Sequence, residues 1–103
     1  MAFRRDASSM QETFLLQPKG AEGAVAELAV ELTPGQTVIY HWVAEAEVEF
    51  NIHSHQGEEV TYHERLVQQE ADGVFGSRTS SDYYLMWENL RPGPVSVRVE
   101  VRR

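Results

Sequence analysis

The chain has no cysteine. Disulfides, thiolate metal sites and cysteine nucleophiles are excluded, although this absence fixes no compartment. Positive charge is scarce: Lys and Arg number 9 against 16 Asp and Glu, for a net charge of −7 and a pI near 5.0. No basic patch interleaved with aromatics offsets that balance, which argues against a nucleic-acid partner. No apolar run approaches the length of a membrane span. A phosphate-binding loop, a dinucleotide fingerprint and a serine-nucleophile elbow are all missing. So are internal repeats, low-complexity tracts and any convincing helix. The chain shows no signal-peptide pattern, which does not establish Met1 as the native start. The Arg4-Arg5 pair fits a cytoplasmic start, a trimmed leader or a linker equally well.

What is present is 103 residues, 42% of them hydrophobic, enough for one domain with a modest core. Residues 1–11 lack periodicity and read as a loosely held arm, leaving 12–103 as the domain. Thr13-Phe14-Leu15-Leu16 reads as a first strand, stopped by Pro18-Lys19-Gly20. From Ala24 to Leu32, Ala and Glu favour helix, but the alternation and the Thr33-Pro34-Gly35-Gln36 turn favour a strand. Thr37 to Val43 is rich in β-branched and aromatic residues, with Val38, Tyr40 and Trp42 on one face. His41, on the other face, reads as a packed or hydrogen-bonded strand residue. Ala44 to Ala46 reads as a link, Asp72-Gly73 as a turn, and Val74-Phe75-Gly76 as the start of a short strand. Tyr83 to Trp87 is strongly β; alternation sends Tyr83, Leu85 and Trp87 one way and Tyr84 and Met86 the other, one set being core and the other a patch or dimer contact. Arg91-Pro92-Gly93-Pro94 is a rigid turn. Val95, Val97, Val99 and Val101 then alternate with polar residues in the cleanest half-buried strand of the chain. About eight short strands with regular turns predict an all-β fold, an antiparallel β-sandwich or jelly roll.

The chemistry concentrates in Phe50 to His63, which holds three of the four histidines. Val48, Phe50 and Ile52 alternate with Glu47, Glu49, Asn51 and His53, and a second alternating run follows Gly57, so the stretch reads as a hairpin. A three-residue loop, Gln56-Gly57-Glu58, sets His55 opposite Glu59, His53 opposite Thr61 and Asn51 opposite His63. That register puts the apolar residues on one face and His53, His55, Glu59, Thr61 and His63 on the other. Opposed residues lie about 4.5–5.5 Å apart at Cβ. His53, His55 and His63, with Glu59 as an oxygen ligand, are therefore the candidate metal ligands, and Cu, Zn or Ni the candidate ions. The competing reading is a solvated, His-rich strand face; a third is a pH-sensitive binding face. Glu45, Glu47 and Glu49 extend that strip and read as solvent-exposed. No catalytic residue is assigned.

Two resemblances follow from these residues. Gly35 before Val38-Ile39-Tyr40-His41-Trp42, then Val48 to His53, Gly73-Val74-Phe75, Asp82 to Asn89 and Pro94 to Val99, form an order similar to GOLD domains, the β-sandwiches of the emp24/p24 family, and especially to short prokaryotic relatives. The most specific piece is the aromatic strand ending in Trp87-Glu88-Asn89. The resemblance implies a non-enzymatic domain that binds or presents a protein partner. It favours a periplasmic or extracytoplasmic setting, and by analogy alone a membrane surface. The second resemblance is local. His53-x-His55-x-x-x-Glu59 is similar to the first metal motif of cupins, and implies a cupin-like metalloprotein or metalloenzyme as the alternative. The flanking glycines of that motif are replaced by Glu47 and Leu66, and Leu85 stands where its second histidine would fall.

Overall fold

The structure, a computed structural model, describes residues 9–103. The expected arm falls mostly outside them, and its last residues, from Ser9 on, already belong to a strand. Six antiparallel strands and no helix make up these residues: β1 (Ser9–Leu16), β2 (Val25–Leu32), β3 (Thr37–Gln56), β4 (Glu59–Gly76), β5 (Ser81–Asn89) and β6 (Val95–Arg102). The all-β antiparallel expectation holds with six strands rather than eight. The count falls because stretches read as separate short strands are two long ones.

β3 and β4 form one long hairpin, and the rest of the chain is laid along it. β4 follows one side of β3. On the other side, the first half of β3 pairs with β6 through Ala44↔Val97, and the second half pairs with β5 from Val48↔Asn89 onward. β1 then adds to β6 and β2 to β5. The partner changes where the register with β4 shifts, between Val43 and Val48. Extra residues on one strand bend it and raise its twist. Ala44 to Ala46, read as a link, is this bend, and the sheet curls there so that its two halves face one another.

Alternation supplies the core. Val38, Tyr40, Trp42, Val48, Phe50 and Ile52 of β3 are buried, as are Tyr83, Leu85 and Trp87 of β5 and the four valines of β6. Tyr83, Leu85 and Trp87 are thus the core set of their strand, and Tyr84 and Met86 the outer set. Rings from both halves meet in the middle: Phe14 and Trp87 have centroids 5.9 Å apart, and Phe50 lies 5.3 Å from both Trp42 and Trp87. Tilted packing of this kind suits the aromatic quadrupole.

Asp72-Gly73 is not a turn. Gly73 lies inside β4 opposite Tyr40, and a Cβ there would sit 2.6 Å from the phenol oxygen. The glycine is required by that close approach. The phenol donates to Glu64 Oε2 at 2.6 Å, and burial together with that carboxylate holds its pKa above the ordinary tyrosine value. The turns at Thr33–Gln36 and Arg91–Pro94 form as expected, the first closed by Gln36 N donating to Thr33 O at 3.0 Å. At the end of the molecule near the second turn, buried Asn89 donates to the carbonyls of Gln17 and Gly93 and accepts from Arg91 N, at 2.8–2.9 Å.

Candidate functional site

The hairpin tip decides which side chains meet. Gln56 pairs with Glu59, so the turn has two residues, Gly57 and Glu58, with Gly57 at φ 62°. A glycine with positive φ in the first turn position matches the twist of the flanking strands. The register is therefore one residue off the expected one: His55 faces Val60, Ser54 faces Thr61 and His53 faces Tyr62. A bulge then inserts His63 as an extra residue, after which Ile52 faces Glu64.

This register separates the four expected ligands. His53 and His55 share the outer face of the second half, their ring centroids 5.1 Å apart. Glu59 pairs with Gln56, one residue beyond His55, and so belongs to the opposite face. His63, bulged, reaches the inner side, where its Nε2 lies 2.8 Å from Ser54 Oγ and its ring packs on Phe75 and Tyr83. Among the described residues, no three His, Asp or Glu side chains converge in a way that could hold a metal ion. The side chains that replace Thr61 and His63 beside His53 and His55 are Tyr62 and Val60.

The outer face is built around His53. Although it points away from the core, it is only 5% exposed. Tyr84 of β5 stacks on it at 5.4 Å with a 21° tilt, Tyr62 of β4 covers it at 5.8 Å, and His55 meets both His53 and Tyr84 edge-on. Arg65 lies 4.9 Å above the Tyr62 ring and contacts Glu49. The polar contacts fix the imidazole tautomer. The Glu49 carboxylate can only accept, so the Asn51 amide nitrogen, 3.4 Å away, turns to it. Asn51 Oδ1 then faces His53 Nδ1 at 2.7 Å and must receive its proton. His53 Nε2 lies 3.5 Å from Glu27 Oε2. Burial lowers the His53 pKa from its ordinary 6.5; Glu27 opposes that shift, and His55 and His63 add to it. At neutral pH the ring is uncharged, and the 2.7 Å contact at Nδ1 outweighs the longer 3.5 Å approach of Nε2 to the Glu27 carboxylate.

Around this centre the face is apolar and open, with Tyr62 and Val60 both exposed. Its margin carries Glu27 and Glu88, and Glu49 paired with Arg65. Tyr62 and Val60 escaped the expected site because the turn has two residues rather than three, and Tyr84 because alternation along β5 does not show that β5 pairs beside His53. His41, by contrast, is a half-buried strand residue with Glu70 at 3.0 Å, as expected.

No protein-family model matches the sequence, and no curated protein matches it. Solved structures do. The chain is similar to the pre-peptidase C-terminal domain of a collagenase from Bacillus anthracis, with a TM-score of 0.64 at 10% identity over 99% of this chain and 91% of that one. It is similar to PliG of Aeromonas hydrophila, a periplasmic inhibitor of g-type lysozyme, with a TM-score of 0.53 at 14% identity over 97% and 91%. A de novo designed double-stranded β-helix gives 0.50 at 20% identity over 90% and 99%. None of the three is a GOLD domain or a cupin. At these identities the likeness shows the fold alone: a small, antiparallel, all-β domain.

Proposed function

We propose that this chain is a non-enzymatic interaction module that docks a protein partner on the outer face of its second half. One observation carries the reading. A histidine on an outward strand face is buried by tyrosine and histidine rings rather than by the core, and those rings form a preordered platform with Tyr62 half exposed. Large aromatic side chains held in place give contact area at little entropic cost and dominate binding energy at interfaces. The acidic margin favours a partner with basic side chains around an apolar centre.

Two further lines support this reading. The sequence order similar to GOLD domains points to a domain that binds or presents. The neighbour described as a periplasmic inhibitor of lysozyme supports both a protein partner and a setting outside the cytoplasm.

The test uses immobilised protein in wild-type, Tyr62→Arg and Arg78→Gln forms. A partner is retained from an extracytoplasmic extract and purified, and its Kd is then measured. The expected partner binds wild type and Arg78→Gln alike and weakens about tenfold or more with Tyr62→Arg. A partner indifferent to Tyr62→Arg contradicts the docking face. Turnover of a substrate that depends on the Ser54–His63 pair contradicts the non-enzymatic reading.

A further inference from the structure

The curl of the sheet leaves a second feature on the opposite side of the hairpin. The two ends of β4 approach each other at the open mouth of the fold, where His63 near one end packs on Phe75 near the other at 5.4 Å. The β4–β5 connection, residues 77–80, lies across this mouth. It is tied to the β2–β3 turn by Gly35 N donating to Ser77 O and Ser77 N donating to Gln36 O. Two adjoining clefts open here, of about 260 and 370 Å³, sharing His63, Thr79 and Tyr83.

The chemistry of the mouth runs against that of the rest of the chain. The protein carries 16 carboxylates, yet none lines either cleft. The lining holds one guanidinium, Arg78, which makes no ion pair among the described residues. It is otherwise rich in hydroxyls, with an aromatic wall of Phe75 and Tyr83, whose centroids are 5.1 Å apart. The polar groups are set in place. Ser77, 7% exposed, accepts from Thr79 N at 3.1 Å and lies 2.7 Å from the Tyr83 hydroxyl. Ser54, at 9% exposure, holds the His63 ring.

We infer that this mouth is a binding site for a small organic oxyanion, a phosphate or sulfate group joined to an apolar body. Arg78 supplies the charge-assisted, fork-shaped contact that such a group favours. Neighbouring hydroxyls supply further donors, and no carboxylate lines the clefts, Glu59 opposite the lining Gln56 standing outside them. The aromatic wall takes the body of the ligand. The volumes are those of a site for a small molecule rather than for a macromolecule. The inference is independent of the docking face: its charged and aromatic groups, Arg78, Phe75 and Tyr83, lie on the inner side, and the two surfaces share only His55 at the hairpin tip.

The test is a titration of the full chain with phenyl phosphate, phenyl sulfate, inorganic phosphate and phenol, followed by calorimetry and by amide shifts. The expected order places both phenyl esters tighter than inorganic phosphate and tighter than phenol, with shifts centred on Thr79 and Tyr83. Arg78 is exposed, so Arg78→Gln leaves the fold intact, which circular dichroism checks. That variant is expected to lose about tenfold or more in ester affinity while phenol is unaffected. Tyr62→Arg is expected to bind the esters as wild type does. Ester binding no tighter than phenol, unchanged affinity in Arg78→Gln, or shifts centred on the outer face would each overturn the assignment.

Discussion

His41 and His53 occupy equivalent places. Both lie on β3, both point outward, and both have a neighbour on each side in the sheet. The neighbours of His41 are Asp72 and Glu100; those of His53 are Tyr62 and Tyr84. His41 stays partly open, with a side-chain exposure of 41% and an exposed Glu70 at 3.0 Å, whereas His53 is enclosed. The same residue on the same strand is thus a solvated surface group in one half of the molecule and the centre of a built polar network in the other. Cross-strand partners, set by register, make the difference.

The widest gap between the two is expected on truncation. His53→Ala leaves Asn51 Oδ1 without its donor and opens space beneath two tyrosines, and should cost about 2–4 kcal/mol in urea unfolding. His41→Ala should stay within about 0.5 kcal/mol. Equal effects would break the comparison. The inner side offers a second contrast. Gly73→Ala drives a methyl into the Tyr40 phenol and should cost about 1–3 kcal/mol, and Tyr40→Phe alone should be milder, losing only the bond to Glu64. If Gly73→Ala is silent, the close approach is not what selects glycine there. Asn89→Ala, at the far end, should cost about 1–3 kcal/mol by leaving loop groups of Gln17, Arg91 and Gly93 unpaired.

The smallest effect is a pH dependence. The folded-state pKa of His53 is lowered, chiefly by burial. Between that value and 6.5 the unfolded chain binds more protons than the folded one, so the His53 contribution is fully present above about pH 6.5 and is lost as the pH falls below it. His53→Gln should flatten that part of the stability profile. An unchanged slope would show that His53 is not its source.

Much of the fold is legible in residues whose alternation is uninterrupted. The valines of β6, the Tyr83-Leu85-Trp87 set of β5 and the Pro34-Gly35 turn all behave as a period of two and ordinary turn chemistry demand. The failures share a cause, the departures from regularity inside long strands. Gly73 looks like punctuation but answers to Tyr40. Ala44 to Ala46 looks like a linker but is a bend. At the tip, a two-residue turn moves Tyr62 beside His53, and the bulge at His63 carries that imidazole to the inner side. The histidine-rich stretch was therefore visible in the sequence, and the set of side chains that gathers there was not.

The most direct test of the outer-face network is the ring nitrogen spectrum of His53, followed by long-range proton–nitrogen NMR as pH is lowered. The network predicts a neutral ring protonated on Nδ1 at pH 7 and a titration midpoint below 6.5. A ring protonated on Nε2, or a midpoint above 6.5, would contradict it.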